Sequence, residues 1–329
     1  MKVLVVTNMY PSPERPHWGG FVRSQVESIE ELGVTIERYE IEGWRGAWNY
    51  ARALRELPAV TRRARPDLVH AHYGLSGAAA LRVEAPLVVS FCGDDLLGSA
   101  GSNGRLTAKS RAVCRLSFET ARRASAVIVK SDEMRRRIPS ARSIDVIPNG
   151  VDLGLFTVRP QDEARAELGW TGRGRILLFA GPPEARVKNW PLASAVADEL
   201  KRRGREVELV AIWGQPHDAV VTAMNAADVL LLTSLHEGSP NAVKEAMAVG
   251  LPVVAAPVGD CAERLAGCRP GAVVERTVDA FAAAVEDVLD ASGRSNGREL
   301  VAPLELSTVA RRVLQVYERV LDDKGRRVA

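Results

Sequence analysis

The chain has 329 residues, 46% hydrophobic and 26% charged, an ordinary globular composition that is too long for one hydrophobic core, so two domains are expected. A formal net charge of +3 is too small to draw nucleic acid, and no run approaches the ~20 uncharged apolar residues of a membrane span. Met1–Thr7 is too short for the apolar core of a signal peptide and reads as a first strand, so a cytoplasmic location is expected. Cys92, Cys114, Cys261 and Cys268 show neither paired zinc spacing nor a dense disulfide pattern, and read as reduced thiols.

Short apolar strands alternate with longer helix-like segments along the whole chain, the pattern of βαβ units and parallel sheets. In the first half, strands are expected near Val3–Thr7, Val34–Ile41, Asp67–Ala71, Leu87–Phe91, Ala126–Val129 and Ile144–Ile147. In the second half they fall near Ile176–Ala180, Val207–Ile212, Val229–Leu232, Val253–Ala256 and Ala272–Glu275. The polar stretch Leu153–Thr171, with Pro160 and a short helical run, reads as the linker. The fold class is therefore α/β, with two doubly wound parallel-sheet domains facing each other across a cleft, and ligands at the carboxyl ends of the strands. The expected borders are 1–155, 156–305 and a final helix in 306–329, whose apolar positions Val309, Val313, Val316, Tyr317 and Leu321 keep helical spacing.

Several loops carry chemistry. After the first strand comes Pro16-His17-Trp18-Gly19-Gly20-Phe21, whose paired glycines let backbone approach a ligand. His70 and His72 end the third strand on one face, suited to acceptor hydroxyls or to structural hydrogen bonds. Ser90-Phe91-Cys92-Gly93-Asp94-Asp95 ends the fourth. Arg105, Lys109, Arg111, Arg115, Arg122 and Arg123 share a helix-like segment, followed by Arg135–Arg137. Such a face is either solvated or a contact for anionic membrane or a lipid-phosphate acceptor.

The most informative run is Thr233-Ser-Leu-His-Glu-Gly-Ser-Pro-Asn-Ala-Val-Lys-Glu-Ala-Met247, which follows the buried-strand signal Val229–Leu232. Ser239 is expected as the N-cap of a helix with Pro240 at its first position. The free amides of Asn241, Ala242 and Val243 then form a cradle for phosphate. Glu237 and Glu245 flank the cradle, and carboxylates beside an anion site suit hydroxyls rather than phosphate. A sugar and a ribose supply such hydroxyls, so the residues point to a sugar nucleotide.

Glu237-x7-Glu245 with Gly-Ser-Pro-Asn between, then Gly250-Leu-Pro-Val-Val-Ala255 and Gly259-Asp260, resembles the donor-site signature of the retaining glycosyltransferases of family four. That resemblance implies the GT-B fold of two Rossmann-like domains, with the terminal helix crossing back to the first, and a hinge at Pro148-Asn-Gly-Val-Asp152. It makes Lys188, seven residues after Gly181, the pyrophosphate lysine. The family commonly has Arg after that glycine; this chain has Pro182, with Arg186 nearby as its substitute. Trp213 and Gly214 match the nucleobase edge, Gly19 and Gly20 the loop facing the donor diphosphate. His72, Cys92 and Asp94 fall on the acceptor side. Family members usually have His where this chain has Cys92, and a thiol cannot copy an imidazole.

The implied reaction moves a sugar from a UDP- or GDP-sugar to a sugar or lipid-linked acceptor, in polysaccharide or glycolipid synthesis, without metal or cofactor. Lys188, Arg186 and the amides of Asn241 and Ala242 stabilise the leaving diphosphate. Gly238 and Ser239 line the donor loop, Glu237 holds sugar hydroxyls and Glu245 the ribose. No side chain is an obvious nucleophile, so same-face attack by the acceptor fits. The alternatives are a sugar-nucleotide epimerase of the same fold and an inactive nucleotide-sugar-binding protein.

Overall fold

The computed structural model describes residues 1–15, 18–99, 105–139, 141–172 and 174–328, with side chains to residue 325. The loop reading that included Pro16 and His17 thus falls partly outside the described residues. The chain forms two compact units, Met1–Gly150 together with Leu306–Ala329, and Val151–Glu305.

The first unit contains, in order, β1 (Lys2–Thr7), α1 (Gly20–Glu30), β2 (Thr35–Glu40), α2 (Trp48–Ala64), β3 (Leu68–His72), α3 (Gly74–Ala79), β4 (Leu87–Ser90), α4 (Asp94–Leu97), α5 (Ala108–Arg123), β5 (Ala126–Val129), α6 (Asp132–Arg137) and β6 (Ile144–Val146). Its strands pair in parallel in the order β2-β1-β3-β4-β5-β6. The runs in β1, β3, β4 and β5 are buried almost throughout, as strands covered on both faces require. Edge strand β2, Thr-Ile-Glu-Arg-Tyr-Glu, keeps only Ile36 and Tyr39 half-buried and exposes the rest. The register sets Thr7 beside His72 and His72 beside Ser90, which aligns the carboxyl ends of β1, β3 and β4.

The second unit contains α7 (Gln161–Glu167), β7 (Arg175–Ala180), α8 (Trp190–Arg202), β8 (Val207–Ile212), α9 (His217–Ala226), β9 (Val229–Leu232), α10 (Asn241–Ala248), β10 (Val253–Ala255), α11 (Cys261–Arg264), β11 (Ala272–Val273), α12 (Val278–Ala291) and α13 (Gly297–Val301). Its parallel order is β11-β10-β9-β7-β8. In both sheets the chain reverses direction of growth once, between β1 and β3 and between β7 and β9. Crevices for ligands open at such points, outside the carboxyl ends of the strands.

Leu153–Thr171, expected as a linker, is instead a folded part of the second unit. Asp228, nearly buried, accepts from Arg165 at 2.6 Å and from the Ile176 amide at 2.6 Å, and the Arg159 amide donates to Asn225 at 2.8 Å. The polar residues that suggested solvent are partners for polar groups at the edge of the sheet.

The last helix, α14 (Leu306–Val328), packs on the first unit. Val309, Val313, Val316, Tyr317 and Val320 form its buried stripe. Arg312 donates to the Val146 carbonyl at 2.7 Å, and Arg319 pairs with Asp145. The Tyr317 hydroxyl lies 2.6 Å from His70 Nδ1, and the other ring nitrogen lies 2.8 Å from Ser90 Oγ. Burial, reinforced by Lys130, lowers the His70 pKa to about 3, so the ring is neutral and shares its one proton across this chain. Tyr317→Phe strands one buried ring nitrogen and is expected to cost ~1–3 kcal/mol. A thermal melt unchanged by the substitution would show that the hydroxyl anchors nothing.

Candidate active site

The second unit gathers the expected donor residues at the β7/β9 crossover. Gly181 ends β7 and its amide donates to Ile212 O at 3.0 Å, placing Trp213 and Gly214, at the end of β8, beside it. Trp213 is 50% exposed. Arg186 and Lys188 lie in a single 3₁₀ turn that Asn189 ends in the left-handed conformation. Thr233, just after β9, locks this turn by donating from its hydroxyl to Lys188 O at 2.8 Å, while Asn189 donates to Thr233 O at 3.2 Å. The Leu235 amide adds a bond to Val187 O at 2.8 Å.

The lock brings Lys188 Nζ to 2.7 Å from Glu237 Oε1, with Ser234 Oγ donating to the same oxygen at 2.8 Å. Lys188 and Glu237 remain 25% and 18% exposed, so solvent and ligand still reach the pair. Sequence spacing named both residues but did not show that they touch. Burial raises the Glu245 carboxyl from 4.5 to about 7, against the lowering effect of Lys244 and Lys188.

One expectation is corrected. The helix begins at Asn241, with Pro240 as its extended N-cap and no side-chain cap, so Ser239 is not the cap and Pro240 is not its first residue. Ser239 turns inward instead: its hydroxyl donates to Asp260 Oδ2 at 2.9 Å and accepts from Lys244 Nζ at 3.0 Å. Arg264 adds a second cation 3.2 Å from the same carboxylate. A tertiary partner 21 residues away outcompetes the local capping bond. The amides of Asn241 and Ala242 still open the helix, and both residues remain partly accessible.

Lys244, 0% exposed, is a site residue that the sequence reading missed. Its signal was a lysine in one stripe with Met247 and Ala248. Together with Asp260 it fixes Gly259 against the donor loop, where a Cβ on Gly259 would lie 2.6 Å from Gly238 O. Gly259 also has φ +54°, so no other residue fits without strain. Arg276, likewise unforeseen, donates to Leu235 O at 2.5 Å and steadies the same loop.

The first unit carries Gly19, Gly20, His72, Cys92 and Asp94. Gly19 caps α1 at φ +73°, and a Cβ there would lie 2.4 Å from the Met9 carbonyl carbon, so its glycine is already demanded by the chain's own packing. Gly20 opens α1. His72 is buried 4.3 Å from the His70 ring, and its Nε2 has no hydrogen-bond partner among the described residues. Cys92 is partly accessible, with a thiol that burial and Asp95 hold well above its usual pKa, hence protonated. Asp94 is exposed; its neighbour Asp95, not singled out in sequence, is buried. Asp95 accepts from the amides of Gly74, Cys92 and Gly93 at 2.9–3.0 Å, tying the ends of β3 and β4 together. Among the described residues, no three His, Cys, Asp or Glu side chains are grouped to hold a metal ion. Among the same residues, no helix is long and apolar enough to cross a membrane.

Two outcomes follow. Lys244→Ala removes the buried cation from its network and is expected to destabilise the unit by ~3 kcal/mol, read by thermal or urea melts. For Glu245, a raised carboxyl is protonated in the fold and ionised in the unfolded chain. Its contribution is therefore intact below pH 4.5 and lost as pH rises through about 7. Glu245→Gln should match wild type near pH 4.5 and gain stability over it toward pH 8; a gap that stays constant with pH would contradict the burial argument.

Residues 1–150 match the model described as "Glycosyl transferase 4-like domain", and residues 175–291 the one described as "Glycosyl transferases group 1". The 2-deoxystreptamine N-acetyl-D-glucosaminyltransferase of Streptomyces fradiae is 28% identical, over 92% of this chain and 84% of its own. A Bacillus subtilis (strain 168) protein with the provisional name teichuronic acid biosynthesis glycosyltransferase TuaC is 26% identical, over 79% of this chain and 82% of its own. In fold, the chain matches sucrose-phosphate synthase from Thermosynechococcus elongatus with TM-score 0.79 at 19% identity, covering 98% of this chain and 99% of that one. It matches Anabaena HepE, solved in complex with UDP, with TM-score 0.68 at 16% identity, covering 97% and 100%. With both halves matched and both sheets in place, the chain belongs to the group 1 glycosyltransferases, with a family-4-like first half and the GT-B fold.

Proposed function

We propose that the protein is an anomer-retaining transferase that moves a sugar from a nucleoside diphosphate sugar to a sugar or lipid-linked acceptor, with no metal or cofactor. The observation that carries the reading is the Lys188–Glu237 pair, 2.7 Å apart, set at the β7/β9 crossover beside the amino end of α10. In this reading Lys188, Arg186 and the amides of Asn241 and Ala242 take up the negative charge of the departing diphosphate, a task a metal ion performs in other sites. Arriving diphosphate draws Lys188 away from Glu237, which frees that carboxylate to accept from donor-sugar hydroxyls. Glu245 accepts from the ribose, and Trp213 stacks on the base.

The Cys92 thiol is protonated, and in this reading Glu237 is taken up by the donor-sugar hydroxyls and the Ser234 hydroxyl, so neither is assigned as a nucleophile. Attack by the acceptor on the face the diphosphate leaves, with a phosphate oxygen receiving the acceptor proton, then accounts for retention. HepE has been solved with UDP and with UDP-glucose, which makes a uridine donor the first to test, ahead of GDP-sugars. The acceptor is assigned to cell-surface polysaccharide or glycolipid synthesis, in line with the name of the B. subtilis relative. The exposed face of α5, with Lys109, Arg111, Arg115, Arg122 and Arg123 around exposed Leu116, supports peripheral contact with anionic membrane on the cytoplasmic side.

Thermal stabilisation by UDP, GDP, ADP and TDP tests the donor reading. One nucleotide should raise the melting temperature, and Glu245→Ala should abolish the shift; equal shifts in both proteins would remove the ribose assignment. Glu237→Ala should retain the nucleotide shift while turnover of the matching donor falls ~10²-fold. Normal turnover in that variant would exclude Glu237 from the chemistry.

A further inference from the structure

Lys188 and Glu237 stand at the carboxyl ends of the second unit's strands. At the opposite ends, where β7 and β9 begin, the same unit encloses a cavity of about 250 Å³. Its wall carries Arg159, Arg175 and Arg294 against a single carboxylate, Asp228, with Val288 and Leu289 of α12 as the apolar side. Small-molecule sites usually enclose ~300–1,000 Å³, so this cavity suits a ligand of about one ring.

Asp228 cannot balance all three arginines. Its Oδ1 accepts from Arg175 at 3.1 Å and from Gln161 at 3.4 Å, and its Oδ2 accepts from Arg165 and the Ile176 amide, each at 2.6 Å. Arg159 is paired away from the cavity wall, with Glu167 at 2.6 Å. That leaves Arg294, which bonds only carbonyls, those of Met224, Asn225 and Ala227 at the end of α9. Among the described residues it forms no ion pair. Burial pushes its pKa below the usual arginine value, with Asp228 opposing, yet a guanidinium stays charged in a protein.

Carbonyls at a helix end offset part of that charge, but a partly buried cation is ordinarily matched by an anion. Arg175 adds a usable donor edge. Only its Nη1 is bonded among the described residues, and its side chain is 49% exposed, so Nε and Nη2 can fork onto two oxygens. A phosphoryl group offers such paired oxygens and up to two negative charges, which suits two guanidiniums better than one carboxylate would.

We propose that this cavity binds a small phosphate monoester, its phosphoryl oxygens on Arg175 and Arg294 and its organic part along Val288 and Leu289. No residue assigned to the donor takes part, so the site goes beyond the transferase reading and does not rest on it.

The test is titration calorimetry at constant ionic strength on the full chain, as wild type, Arg175→Gln, Arg294→Gln and Lys188→Ala. The probe is glucose 6-phosphate, with inorganic phosphate and glucose as its two halves. Glucose 6-phosphate should bind wild type and Lys188→Ala equally, and ~10-fold more weakly in Arg175→Gln and in Arg294→Gln. It should also bind wild type more tightly than inorganic phosphate does, and glucose should not bind. Arg294 ties down the end of α9, so if Arg294→Gln melts early, the half-exposed Arg175 carries the comparison. Indifference to Arg175→Gln, or no binding of either phosphate, would overturn the proposal. Loss of binding in Lys188→Ala would do so too, by moving the phosphate to the donor residues. Inorganic phosphate binding as tightly as glucose 6-phosphate would overturn the monoester assignment. Absence of any nucleotide thermal shift, with Arg175-dependent phosphate binding intact, would refute the donor reading and leave this cavity standing.

Discussion

The Lys188–Glu237 pair is the interaction on which the second unit's candidate site depends, one ammonium group bonded to one carboxylate at 2.7 Å. Around it, burial raises the Glu245 carboxyl to about 7 against the opposing charges of Lys244, foremost, and Lys188. A partly exposed ion pair is worth little by itself, ~1 kcal/mol or less. That weakness suits the partner exchange proposed above, since a diphosphate carrying more charge would displace a single carboxylate at small cost. The Ser234 hydroxyl bonds the same Glu237 oxygen at 2.8 Å and adds to the hold on that carboxylate. The rigid parts are the backbones: Thr233, Asn189 and Arg276 set the turn and the loop so that only the side chains need to move.

A deeper layer of polar groups does the opposite work. The Lys244–Ser239–Asp260–Arg264 set and the His70–Tyr317–Ser90 chain are buried, so exchange with solvent is costly and their geometry is effectively fixed. Each set lies directly beneath a site loop. The first fixes where Gly259 meets Gly238, the second where α14 meets the end of β3. The molecule thus separates yielding charges at the surface of the site from unyielding ones below it.

Strand positions were legible in the sequence almost to the residue, because β1, β3, β4, β5, β7 and β9 are short apolar runs that only a doubly covered sheet can bury. The candidate donor loop from Glu237 to Glu245 was legible as one contiguous stretch because local spacing carries it. What was not legible depends on contacts between distant segments. Ser239 has the right chemistry for a cap, and nothing local announces that Asp260 will claim its hydroxyl. Arg165 and Arg159 read as linker because their partners, Asp228 and Asn225, lie some sixty residues on. Nothing local marks Asp95 and Lys244 as the buried charges they are in the fold.

The replacement of a family histidine by Cys92 gains a physical sense from Asp95 beneath it. The carboxylate accepts the Cys92 and Gly93 amides together with that of Gly74, so the backbone at this strand end is set from below and does not depend on the residue-92 side chain. The thiol, protonated and 3.8 Å from the Ser90 carbonyl oxygen, adds only a weak donor. An imidazole in that place could bring a charge or a strong donor to a ligand; a thiol brings neither. Whatever the first unit contributes to recognition at β4 must then come from backbone amides and from neighbouring side chains. That argument directs attention away from residue 92 and toward groups whose polar atoms are still unsatisfied, of which His72 Nε2 and Arg15 Nη1 are two in this unit.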